Sequence, residues 1–366
     1  MRRLPGLDLL RAIAIIWVML FHSYIVGGLS PSFALIQNDG WMGVDLFFAL
    51  SGYLIGSQLL QPLSRGEPIG FGRFYLRRAF RVLPAYLVVL ALYFCLPGFR
   101  EASGIQPLWQ FLTYTVNLLI DYEHNQAFSH VWSLCVEEHF YLLFPLLAWW
   151  LMRRPSTAKF IATCVSLVLV GVLLRDYAWR HMTHFVEDVY YPTYNRLDGL
   201  LAGVVLAVIQ AFRPRLWQRL QQQANVIWLP AGLALVGLAM WLFRERTAWL
   251  PTVIGYPLLS FGMAMLVLAG TAQQGWLGRW RIPGARWIAL ISYSLYLSHK
   301  AVFHFVERTL VPPLGWQGVP LFLVYAIAAL LGGALLHYAI ERPFLRLRER
   351  LQTARGNAAT ELTAQA

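Results

Sequence analysis

Residues 9–26 read LLRAIAIIWVMLFHSYIV, an apolar run interrupted by one arginine and one histidine. Arg11 and His22 are eleven positions apart, close to three turns at ~3.6 residues per turn, so both project from one face of a helix. Their heads then lie roughly 16 Å apart along the axis, at ~1.5 Å per residue. Left facing acyl chains near the bilayer centre, each would cost about 2.5–3.5 kcal/mol or more. They therefore face protein or water, and the first segment presents a polar stripe with a fixed cation at one end and a proton-exchanging imidazole at the other.

The rest of the 366-residue chain has the same character. It is 58% hydrophobic and 13% charged, with a mean hydropathy of +0.52, which excludes an ordinary soluble domain. The expected class is all-α: a polytopic membrane protein of about ten transmembrane helices. The segments are 9–27, 41–61, 82–97, 137–152, 159–177, 194–212, 226–243, 252–272, 286–305 and 319–340. One membrane domain (1–350) and a polar, disordered cytoplasmic tail (351–366) account for the length. The two arginines before the first run imitate a signal peptide, but no small-residue cleavage pattern follows, so the run reads as a retained span. Cys95, Cys135 and Cys164 lack paired spacing and indicate neither a disulfide frame nor a metal site. The net charge of +12 is explained by topology and needs no nucleic-acid partner.

The segment 107–120 carries Gln110, Thr113, Thr115 and Asn117 and is the one ambiguous crossing. If it stays outside, most of the 30 basic residues fall in loops on one side, leaving Arg100, Arg180, Arg244, Arg246 and Arg308 on the other. Letting it cross destroys that asymmetry, so the positive-inside rule puts both termini in the cytoplasm. Asp45, near the start of the second span, then lies at a depth comparable with His22. It either fixes the histidine tautomer or caps its own helix and pairs with another cation.

Further polar groups follow in order. FYLRRAFR sets Arg78 and Arg81 on one helix face with Arg77 beside them, suited to forked bonds with phosphates or to contact with anionic lipid. In SHVWSLCVEEHFY, Glu137 and Glu138 enter the fourth span beside Trp132. Two acids there answer the helix dipole or, with the aromatic ring, form an acceptor pocket. The run does not have the helical H-E-x-x-H spacing of a zinc site. Arg196 and Asp198 open the sixth span but face different ways, so each needs a partner on another helix. The ninth span is too polar for lipid. It carries Tyr293 and His299, the latter a packing residue or a second proton-handling group. No internal repeat and no soluble-type phosphate loop is present.

Taken together, LDLLRAIAIIWVMLFH, GVDLFFALSGYLI, RAFR, WSLCVEEHFY, YNRLDGLLAG, ISYSLYLSH and ERPF resemble the acyltransferase-3 family of integral membrane acyltransferases of bacterial surface glycans. The pieces run in order through residues 7 to 344. The resemblance implies transfer of an acyl group, commonly acetyl, from acyl-coenzyme A (acetyl-CoA) as co-substrate to a hydroxyl of a glycan or a small acceptor, with no permanently bound cofactor. It implies a multi-pass location in the bacterial cytoplasmic (inner) membrane, with lipid the surrounding partner. By it, His22 is the catalytic residue, Arg11 its motif partner, and Arg78 and Arg81 lie near the donor. Cys135 and His139 stand where serine and glutamine are frequent. The sequence ends without a soluble hydrolase-like domain, which points to the stand-alone form; oligomeric state is not legible.

The expected mechanism has His22, oriented by Asp45, remove the proton of the acceptor hydroxyl as it attacks the thioester. Arg77, Arg78 and Arg81 hold the coenzyme phosphates. Trp132, Glu137, Glu138, Arg196, Asp198, Tyr293 and His299 support the acceptor. A competing reading is a proton-coupled transporter or flippase using Arg11, His22 and Asp45 as a relay, although the sequence shows no pair of similar halves.

Overall fold

The computed structural model describes residues 4–23, 34–311, 316 and 318–352. Among them there is no strand, only an isolated bridge between Ile105 and Ala127. The long helices are α1 (Pro5–His22), α2 (Met42–Ser64), α3 (Phe71–Cys95), α4 (Trp132–Met152) and α5 (Thr157–His181). They continue as α6 (Asp198–Phe212), α7 (Leu229–Leu242), α8 (Tyr256–Thr271), α9 (Ala285–Thr309) and α10 (Gly318–Leu336). The architecture is that of an all-α polytopic membrane protein.

Among the described residues, eight helices are long and apolar enough to cross a bilayer, and a ninth is gained if α6 and Pro214–Gln222, bent by 117° at Arg213, count as one span. The break follows from Pro214, which disfavours helical geometry in the residue before it and itself starts the next helix. The expected ninth span forms the 25-residue α9, but its serines, tyrosines and histidines, with Lys300, keep it out of the apolar set. The segment 107–120 does not cross. It makes two short helices, Leu108–Leu112 and Val116–Leu119, parted at Tyr114, whose φ is 56°.

Two expected boundaries move. Helix α3 begins at Phe71, before the apolar segment at 82, because RRAFR is good helix-forming sequence, so Arg77, Arg78 and Arg81 lie in its early turns, in keeping with the shared helix face read for Arg78 and Arg81. Helix α4 begins at Trp132 rather than 137, which sets Glu137 and Glu138 in its second turn. The last residues of the expected first span, 24–27, and most of the tail, 353–366, lie outside the described residues.

The chain divides into two compact units, one of residues 1–69 and 101–290, the other of 70–100 and 291–366. In the first, α2 packs against α6 more extensively than any other pair, and glycine makes this possible. A methyl added at Gly52 would lie 1.9 Å from the Leu200 carbonyl oxygen, and one at Gly203 would lie 2.2 Å from the Ala49 carbonyl oxygen. Gly52 and Gly56 face Gly199 and Gly203 with rising numbers on both helices, so the pair runs parallel, as small residues at four-residue spacing allow in membranes. Helix α1 crosses α2 in the opposite sense: Gly40 meets Trp17 and Phe21, whereas Gly43 meets Ala14 and Val18. This register brings His22, Asp45 and Asp198 to one end of the unit.

In the second unit, α3 and α9 pack with α10 and its continuation, a wide turn at His337–Glu341. Gly333 on α10 lets Leu295 of α9 approach within 2.8 Å of a hypothetical Cβ.

Overpacking the α2–α6 contact destabilises by about 1–3 kcal/mol or more. Gly52→Val and Gly203→Val are expected to lower the detergent-solubilised melting temperature by several degrees. Gly237→Ala, whose methyl meets nothing within 4 Å, leaves it unchanged or slightly raised; thermal unfolding of the three purified variants checks this.

Candidate active site

At the His22 end of the first unit, charged groups that lost their water are paired and walled by rings. One terminal nitrogen of Arg196, Nη2, donates to both oxygens of Asp45, at 2.9 and 3.0 Å. Arg175 of α5 donates from Nη1 and Nη2 to the two oxygens of Asp198, at 2.6 and 3.1 Å, and also to the Asn195 carbonyl. All four residues are buried, Arg175 completely. Arg196 and Asp198 thus find partners on different helices, as their spacing required. Paired, hydrogen-bonded burial of this kind is the condition under which ions survive in a low-dielectric interior.

Asp45 takes the other role that the sequence left open, pairing with another cation. Both its oxygens accept from Arg196, whose guanidinium is the stronger and permanently charged partner. The histidine stands instead among rings, its centroid 5.3 Å from that of Phe21 and 6.1 Å from that of His130. His22 is the last residue of α1 and is half-buried, a setting in which an imidazole can meet a second reactant. Arg11 is half-buried about three turns earlier on the same helix.

Aromatic rings form the wall. Trp132 stacks on Tyr191 with centroids 4.9 Å apart and meets Phe48 edge-on at 6.2 Å. The Arg196 guanidinium lies over the Tyr256, Tyr190 and Trp132 rings at 4.2, 4.8 and 5.4 Å, a cation–π cage that holds the arginine in place while Asp45 balances its charge. The region 101–131 is tied to this wall by polar bonds. Asn117 donates to the Tyr191 carbonyl at 3.2 Å and to Thr193 Oγ1 at 2.7 Å. His139 Nδ1 meets the same hydroxyl at 2.7 Å. Phe128, in left-handed geometry at φ 58°, gives its N–H to Glu101 at 3.0 Å. Burial lifts the Tyr114 and Tyr122 hydroxyls in this region above the usual phenol range. Glu137 and Glu138 are half-buried on α4, and Ser51 hydrogen-bonds Tyr141 across α2 and α4.

The second unit has its own buried polar centre. Glu341, wholly buried, accepts from Arg81 in a close ion pair and from the Ser294 hydroxyl at 2.7 Å, and meets His337 Nδ1 at 2.9 Å. The Arg81 guanidinium also lies 6.0 Å from the Tyr293 ring, whose hydroxyl donates to the Val82 carbonyl at 2.9 Å. Arg81 is thus largely committed to an internal carboxylate, while Arg77 and Arg78 are half-buried on the same helix. His299 is fully buried, its Nδ1 donating to the Tyr296 carbonyl at 2.8 Å and its ring against Phe303.

Sequence reasoning missed Glu341, Arg175, His130, Tyr190 and Tyr256. Glu341 was visible only as the acid of the closing ERPF, and Arg175 only as a cation inside an apolar run that had to have a partner. Nothing in the sequence marked the aromatic rings.

Paired, buried ions beside a histidine, on helices of membrane-spanning length that meet through glycines, give an integral membrane protein a sheltered polar site. A family model described as an acyltransferase domain, that of the acyltransferase-3 family, matches residues 4–338, and the chain belongs to this family. Two curated relatives from Staphylococcus aureus are similar over most of it. The O-acetyltransferase OatA is 29% identical over 90% of this chain and 55% of its own length. A putative O-acetyltransferase, SACOL0978, is 28% identical over 94% of this chain and 58% of its own length. The chain thus spans little more than half the length of these relatives. No solved structure matches it.

Removing one member of the Asp45–Arg196 pair leaves a buried charge unbalanced, at a cost of about 3–5 kcal/mol. Asp45→Asn is expected to lower the yield of monodisperse protein and its melting temperature. Adding Arg196→Met to Asp45→Leu recovers stability toward the parent, as size-exclusion profiles and thermal unfolding of the single and double variants would show.

Proposed function

We propose that the chain transfers an acyl group, acetyl by analogy with the names of its relatives, from acyl-coenzyme A to a hydroxyl of a carbohydrate acceptor. His22 acts as general base. Its neutral imidazole takes the proton of the acceptor hydroxyl as that oxygen attacks the thioester carbonyl. A tetrahedral intermediate collapses with cleavage of the carbon–sulfur bond, and the imidazolium returns its proton to the departing coenzyme A thiolate. Such catalysis contributes typically about 10²–10⁴-fold. Arg11 lines the same helix face and stabilises negative charge on the donor side.

The single observation that supports this reading most is the antiparallel register of α1 and α2. It sets His22 among the polar and aromatic groups of the first unit rather than against lipid, as a base in contact with a sugar requires. Donor recognition is assigned to Arg77 and Arg78, whose forks suit phosphates, with Arg81 a positioning residue held by Glu341. Trp132, Glu137 and Glu138 are assigned to the acceptor. Arg196, Asp45 and Asp198 hold its walls, and Tyr293 and His299 shape the second unit. In this account residues 1–350 form one membrane domain of a bacterial cytoplasmic membrane protein, with both termini on the cytoplasmic side where coenzyme A resides.

His22→Ala is expected to reduce acceptor-dependent release of coenzyme A by about 10²–10⁴-fold in purified protein while folded yield and melting temperature stay at the parent level. Parental turnover in that variant contradicts the base assignment.

A further inference from the structure

Among the described residues, Arg246 is a half-buried guanidinium at the His22 end with neither an ion pair nor a side-chain hydrogen bond. Its neighbours are rings: the Cζ atom lies 4.5 Å from the Trp41 centroid, 5.2 Å from Tyr190 and 6.0 Å from Phe21. The Nε atom is buried over these rings without a partner, whereas the residue as a whole is half-buried, so its terminal nitrogens reach the surface. Phe21 is shared, since its ring also lies 5.3 Å from that of His22.

The charge balance makes this residue stand out. Arg196 is matched by Asp45 and Arg175 by Asp198, but among the described residues no carboxylate comes within ion-pair distance of Arg246. Burial raises the Asp39 carboxyl above its usual range, and Arg246 and Arg244 oppose that rise only from longer range. The donors that line the same ring cluster are in surplus too. Trp41 Nε1, the Tyr256 hydroxyl, and Arg196 Nε and Nη1 all lack acceptors, on residues no more than 2% exposed. A cluster with unspent positive charge, unspent donors and a guanidinium plane fixed by three rings is organised for an oxyanion. Ring stacking restricts the side chain before any ligand arrives, which reduces the ordering cost of binding.

We propose that Arg246 binds an oxyanion of the acceptor, a carboxylate or phosphate carried on the sugar, and so selects acidic saccharides for the hydroxyl that His22 deprotonates. This rests on the acyl-transfer reading and extends it to the acceptor class. Arg246 is a specificity residue that touches the acceptor away from the reacting oxygen.

Binding measured without any acyl donor tests the selection independently of the reaction. Full-length protein in neutral-lipid nanodiscs is titrated calorimetrically with a glucuronate-containing oligosaccharide, with glucose 6-phosphate and with methyl glucoside. The expected result is that at least one acidic probe binds in preference to the neutral one. Arg246→Gln weakens that binding about ten- to a hundredfold, and Arg246→Lys, which keeps the charge but loses the fork, falls between. Arg244→Gln, which removes an exposed charge two residues away, binds like the parent. Whichever acidic probe is favoured tells carboxylate from phosphate. Equal affinity for acidic and neutral sugars, no binding of either, or parental affinity in Arg246→Gln overturns the proposal. So does a loss confined to anionic-lipid vesicles, which would make Arg246 a headgroup contact. Coenzyme A release measured in parallel reports on the reaction itself, so loss of acidic-sugar binding and failure of acyl transfer are read separately.

Discussion

A guanidinium and a carboxylate withdrawn from water at the start of two parallel helices are the constraint around which the first unit is built. The Arg196–Asp45 pair is stable only if the helices bring the two groups within hydrogen-bond range and rings exclude competing water. Both conditions are met by small residues. Gly52, Gly56, Gly199 and Gly203 let α2 and α6 approach until backbone touches backbone, and that approach is what sets the depth of Asp45. Because α1 crosses α2 through Gly40 and Gly43, a second close contact fixes where His22 ends. The position of the candidate base is thus a consequence of helix packing, and the ion pair serves the wall that surrounds it.

The second unit solves the same problem differently. There a single buried carboxylate, Glu341, gathers Arg81, Ser294 and His337. The wide turn His337–Glu341 sets histidine and acid on one face, and insertions of this type in helices recur at functional sites. Arg81 is thus held from inside, whereas Arg77 and Arg78 on the same helix are half-buried. In the first unit Arg196 is likewise buried and paired, whereas Arg246 is half-buried.

Much of the fold was legible because apolar runs of membrane length have few alternative structures, and the polar interruptions Arg11, His22, Asp45, Arg196 and Asp198 announced where partners were needed. The pairings themselves were not legible. Asp45 looks equally suited to His22 and to Arg196 along the chain, and only the parallel register of α2 and α6 decides for the arginine. Apolar runs marked the spans but not how far a helix continues past them: RRAFR is both basic and helix-forming, and the interior carboxylate that pairs with Arg81 lies at the far end of the sequence. Of the three rings around Arg196, Trp132 was singled out but Tyr190 and Tyr256 left no signal, since rings in a membrane protein are ordinary until they face one cation.

The central claim is that these groups serve a chemical transfer rather than passage of a solute or proton. The most direct measurement follows carbon-13-labelled acetyl-coenzyme A mixed with purified protein and an acceptor glycan, with coenzyme A and labelled ester quantified together over time. The account predicts that label appears in a hydroxylamine-sensitive ester of the acceptor, one for each coenzyme A released. Coenzyme A left intact while glycan or protons cross a sealed vesicle would contradict it.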